Sequence, residues 1–105
     1  MISVKMQPGD GGDEEFDEWY RKQHLDMLST VKGYRRSTRW KVSSLREAPG
    51  TPTYLALHEY DEVPPAEELK LVVGTEWSKR IIGQAKEFVR DQWELIEVQG
   101  PYEKM

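Results

Sequence analysis

Cysteine is absent from the 105 residues. That excludes disulfides, thiolate-held zinc or iron–sulfur clusters and a cysteine nucleophile. A basic excess is missing too, since 15 Lys and Arg stand against 19 Asp and Glu for a net charge of −4. Nucleic-acid affinity draws chiefly on phosphate neutralisation, so nucleic acid is not an expected partner. No apolar run approaches the roughly 18 residues of a membrane span, and the opening Met1–Met6 is too short and polar for a signal peptide. A cytoplasmic protein with no membrane contact is therefore expected. The glycine run Pro8-Gly9-Asp10-Gly11-Gly12 has neither the dinucleotide spacing nor a P-loop lysine and reads as a plain turn. No nucleophile-elbow motif and no HxH, HxxxH or HExxH spacing occurs, so neither a serine hydrolase nor a metal site is expected.

What is present is aromatic: four Trp, five Tyr and two Phe in a chain whose mean hydropathy is −0.78. At this length one domain over residues 1–105 is expected, small enough to gain stability from pairing with a second copy. Residues 2–7 alternate Ile2, Val4 and Met6 with polar neighbours, the period of a half-buried strand. Asp13 can cap a helix whose first turn is acidic. On that helix Phe16, Tyr20, His24, Met27, Leu28 and Val31 fall on one face, and Gly33 closes it. Residues 34–44 read as a strand with Tyr34, Arg36, Thr38, Trp40 and Val42 on one parity and Arg35, Ser37, Arg39 and Lys41 on the other. A turn at 48–52 leads to a strand at 53–60. Here Tyr54, Ala56, His58 and Tyr60 oppose Leu55 and Leu57, so both faces carry bulk, as in a sheet covered on both sides. After Pro64-Pro65 a short helix over 66–73 ends at Gly74. Thr75 then caps a helix with Trp77, Ile81, Ala85 and Phe88 on one side, and residues 93–98 form a last strand. The order predicts an α+β ferredoxin-like fold, βαββαβ with an antiparallel sheet and helices on one face.

The two histidines, His24 and His58, are the side chains that titrate nearest neutrality. His24 lies one turn after Tyr20 on the apolar helix face, where it reads either as a satisfied core residue or as a general acid or base. His58 shares a sheet face with Tyr54 and Tyr60, and that face is either a pocket floor or a dimer interface. The tryptophans can fill a core or line a site for a flat apolar ligand. Arg36 and Arg39 can grip a carboxylate or phenolate, or form a solvated strand edge.

The stretch Glu15-Phe16-Asp17-Glu18-Trp19-Tyr20-Arg21-Lys22-Gln23-His24-Leu25, followed by Val31-Lys32-Gly33-Tyr34, resembles the EthD-like proteins of the dimeric α/β-barrel superfamily. Thr53–Asp61 and Thr75-Glu76-Trp77 resemble that family's third-element strand and second-helix start. The resemblance implies two sheets packed face to face in a homodimer, with a pocket between each sheet and its own helices. It does not imply one reaction. The reading it supports is a cofactor-independent lyase, cyclase or decarboxylase acting on an aromatic or polyketide-like molecule. His24 would transfer the proton, Tyr20 would orient it or donate to an oxyanion, and His58 is the second candidate. Phe16, Tyr34, Arg39, Trp40, Tyr60 and Trp77 would contact substrate. The alternatives are a cofactor-free monooxygenase of phenols and a non-catalytic ligand-binding dimer.

Overall fold

The computed structural model describes residues 1–43 and 52–100, so the expected turn at 48–52, all but Pro52, lies outside the described residues. Strands β1 (Ile2–Gln7), β2 (Tyr34–Lys41), β3 (Tyr54–Tyr60) and β4 (Glu87–Gln92) form one sheet in the order β2-β3-β1-β4. Every neighbouring pair is antiparallel. Between β1 and β2 run α1 (Asp13–Trp19), a π-helical turn (Tyr20–His24) and α2 (Leu25–Leu28), and between β3 and β4 run α3 (Ala66–Val73) and α4 (Glu76–Gln84). This is the expected ferredoxin-like α+β fold.

Alternation decides which sheet face the helices cover. Ile2, Val4 and Met6 are buried, and register places them beside His58, Ala56 and Tyr54 on one side and Gln92, Arg90 and Phe88 on the other. Phe16, Trp19, Tyr20 and Ile81 pack onto this face from the helices, while Leu28, Val31 and Val72 form a second cluster nearer Tyr34 and Tyr60. Gly33 sits at φ +85°, the left-handed conformation glycine adopts without strain, and its carbonyl accepts from Asp61 N at 2.8 Å to start the β2–β3 ladder.

Four expectations change. Asp13 is the first residue of α1 rather than its cap, and its carboxylate accepts from Tyr54 OH at 2.8 Å. The π turn inserts an extra residue into the helical repeat. Trp19 and Tyr20 already share the inward face with Phe16 at i+3 and i+4, and the extra residue brings His24, five residues after Trp19, back beside the indole. A bulge between Tyr34 and Arg36 shifts the register of β2. Tyr34 stays opposite Tyr60, but Ser37 and Arg39 join the helix-facing side and Trp40 faces outward, 57% exposed. Finally, α4 stops at Gln84, and the last strand is Glu87–Gln92 rather than 93–98. Lys86 N donating to Gln7 O at 2.8 Å opens the β1–β4 ladder, so pairing with β1 overrides the helical spacing of Ala85 and Phe88.

Candidate functional site

A cavity of about 540 Å³ lies between the helix-facing side of the sheet and the helices, lined by Tyr20, His24, His58, Tyr60, Phe88 and Arg90 among others. The size suits a small molecule. His24 enters from the π turn, and the one-residue offset stacks its ring on the indole of Trp19, centroids 4.1 Å apart. Tyr20 meets His24 edge to face at 5.1 Å. His58 enters from β3, and the two imidazoles are 6.3 Å apart.

Both histidines are nearly sealed from water, at 6% and 2% exposure. Burial disfavours the imidazolium. It pushes His24 down to about 3, helped by His58, and His58 down to about 4, helped by the Arg90 charge. Each is neutral at physiological pH. His58 Nδ1 lies 2.7 Å from Ser37 Oγ, which accepts from Tyr34 OH at 2.9 Å. With the tyrosine donating to serine, the serine hydroxyl is free to donate to Nδ1. The proton of His58 is thereby assigned to Nε2. That Nε2, together with His24 Nδ1 and Tyr60 OH, is buried with no hydrogen-bond partner among the described residues. Tyr60 is pushed up to about 12, chiefly by burial, so its hydroxyl keeps its proton. Unpartnered buried polar groups cost roughly 1–3 kcal/mol each, and here the three residues that carry them line one cavity.

Of the residues singled out in the sequence, Tyr20, His24, His58 and Tyr60 line this cavity. Tyr34 stands behind it, reaching His58 through Ser37. Phe16, Arg39 and Trp40 instead line a smaller cavity of about 230 Å³, shared with Tyr20. There Arg39 donates to Asp17 Oδ1 at 2.8 Å and lies 4.3 Å over the Tyr20 ring. Burial pushes Tyr20 up to about 12, with Arg39 opposing. No hydrogen bond joins Tyr20 to His24 among the described residues, so Tyr20 shapes the His24 environment by ring contact. Arg36 pairs with Glu59. Trp77 packs against the core and lines neither cavity. Three residues had no sequence signal strong enough to be chosen. The stacking of Trp19 on His24 needs the π turn, Ser37 needs the bulge, and Arg90 sits in a stretch that reads as helix end and loop.

Among the described residues no group of three or more His, Asp or Glu lies together as a metal site would require, and no helix is long and apolar enough to cross a membrane. No protein-family model matches the sequence, and no curated protein matches it. Among solved structures, At3g17210 from Arabidopsis thaliana superposes with a TM-score of 0.66 at 11% identity, over 93% of this chain and 96% of that one. A member of the EthD family from Bacillus halodurans aligns at 18% identity over 89% of this chain and 95% of that one, with a TM-score of 0.49. The likeness to the Arabidopsis protein is one of fold, and it extends over nearly the whole of both chains.

Proposed function

We propose that the chain is a cofactor-independent enzyme of the lyase, cyclase or decarboxylase type that acts in the cytoplasm on an aromatic or polyketide-like molecule by proton transfer at its histidine pair. The observation that carries this reading is the pair itself: two neutral imidazoles 6.3 Å apart, each with a buried unpartnered nitrogen, in an otherwise largely apolar cavity. In this scheme a neutral His24 takes a proton from carbon next to a carbonyl. His58 Nε2–H and Tyr60 O–H donate to the oxyanion that develops. An imidazole held near 3 is a weak resting base, so the scheme requires bound substrate to raise its proton affinity. The same low value favours a second reading, a binding protein whose histidines only donate and accept hydrogen bonds.

A homodimer is proposed with it. The outer sheet face carries Trp40 at 57% and Val89 at 38% exposure, and beyond β4 Ile96 is 95% exposed, apolar area that a second copy would cover. Light scattering at micromolar concentration should give twice the chain mass. The monomer mass would remove this part of the proposal.

The test of chemistry is turnover of 1,3-dicarbonyl and aromatic keto-acid compounds followed by mass spectrometry. His24→Asn should lose about 10²–10⁴ in rate with its melting temperature kept, and His58→Asn should weaken turnover as well. Full turnover in both variants overturns the proton-transfer reading. Binding without turnover in the parent protein establishes the second reading, and turnover that needs oxygen makes the protein a monooxygenase.

A further inference from the structure

The charged residues that line the histidine cavity are of one sign among the described residues. They are Lys70 and Arg90, the histidines aside, with Glu68 acting on Tyr60 from outside the lining, in a chain of net charge −4. Arg90 also differs from the other described arginines. Arg21, Arg35, Arg36, Arg39 and Arg80 each pair with a carboxylate, whereas the Arg90 guanidinium has no ion pair among the described residues. A guanidinium offers a planar fork of donors that fits a carboxylate with two parallel hydrogen bonds.

The sheet register sets how far this charge stands from the imidazoles. Ile2 is opposite both His58 and Gln92, and Val4 is opposite both Ala56 and Arg90. Arg90 and His58 therefore stand on the same sheet face on a diagonal, two strand spacings of about 4.8 Å across and two residues of about 3.4 Å along, roughly 12 Å between backbones. The side chains between them are the apolar Ile2 and Val4 of β1. The cavity thus has a cation at one side, an apolar floor, and at the other side polar atoms without partners: His58 Nε2, His24 Nδ1 and Tyr60 OH.

We propose that the cavity takes an amphipathic monoanion, a flat apolar body ending in a carboxylate, with the carboxylate on Arg90 and the body lying across β1 toward His24 and His58. This rests on the cavity being the substrate site and gives that substrate its chemical class. The Arg90 charge helps to hold His58 down, so a carboxylate that neutralises it also returns proton affinity to His58. Lys70 adds a second positive charge to the lining.

The test is titration calorimetry on the whole chain with 2-naphthylacetate and its neutral counterpart 2-naphthylacetamide. The acid should bind about tenfold or more tightly than the amide, as a charge-assisted pair implies. Arg90→Gln should erase that preference while leaving amide affinity in place. Arg90→Lys should keep part of it. Because the side chain is exposed and has no ion pair among the described residues, both variants should melt like the parent. Equal binding of acid and amide, a preference that survives Arg90→Gln, or binding of neither compound overturns the proposal. Loss of the acid preference in Arg90→Gln, with turnover intact in both histidine variants, keeps this assignment and removes the proton-transfer reading. Equal binding of acid and amide, with turnover lost in the histidine variants, does the reverse.

Discussion

Trp19 separates two buried polar clusters that are built in opposite ways. On one side its Nε1 donates to Ser78 Oγ at 3.0 Å. Ser78, fully buried, donates in turn to Val72 O at 3.1 Å, and its backbone N–H is capped by Thr75 Oγ1. Thr75 Oγ1 also donates to Gln23 Oε1 at 2.7 Å. This knot joins the π turn, the end of α3 and the start of α4. On the other side the same indole stacks on His24, where the imidazole pair and Tyr60 keep polar atoms without partners. The satisfied cluster joins the helices, and the unsatisfied one is the cluster on which the proposed function rests. A fold that completes one polar network and leaves its neighbour open keeps the second at a cost to stability, which is how a binding site differs from a core.

Acid should expose the difference most strongly. Both histidines have folded-state values well below the ordinary 6.5, about 3 and about 4. The unfolded chain therefore takes up protons that the folded chain refuses. Stability is greatest above pH 6.5 and is lost as the pH falls from there toward the folded values, by about 1.4 kcal/mol per pH unit for each histidine. Asp17, lowered by its bonds to Arg21 and Arg39, works in the same direction, but only below the ordinary carboxylate range near 3.8. Denaturant midpoints at pH 7, 6 and 5 check this. A flat profile across that window would mean the histidines are not sealed.

Substitution sharpens the contrast at smaller scale. Ser78→Ala strands the Trp19 N–H and the Val72 carbonyl and should cost about 1–3 kcal/mol. His24→Leu removes an unpartnered polar atom while keeping similar bulk against Trp19, and should change stability by less than about 1 kcal/mol or raise it. Thermal melts of the two variants side by side decide the point. Equal losses would make both clusters structural.

Much of this was legible in the sequence wherever the pattern is local. The alternation of Ile2, Val4 and Met6, the cap at Thr75 and the left-handed Gly33 each declare their element within a few residues. The two histidines stood out because they are the only two in the chain. What escaped depends on pairing between distant segments. The bulge at Tyr34/Arg36 reverses the facing of Trp40 and Arg39, and nothing in the local alternation marks it. The strand Glu87–Gln92 is exposed at every position, so it shows no apolar period, and only its ladder with β1 makes it a strand. Arg90 becomes visible as a cavity residue only once that ladder is drawn. The meeting of His24 and His58 likewise requires α1 and β3 to be stacked.

Histidine-resolved NMR titration of the free protein tests the central claim, that two neutral imidazoles are sealed in a cavity between sheet and helices. The ring C–H signals of His24 and His58 should stay in the neutral position from pH 8 down to about 5, with any protonation setting in only toward about 4 and 3. A midpoint near 6.5 for either ring would show it open to water and would contradict the site built on the pair.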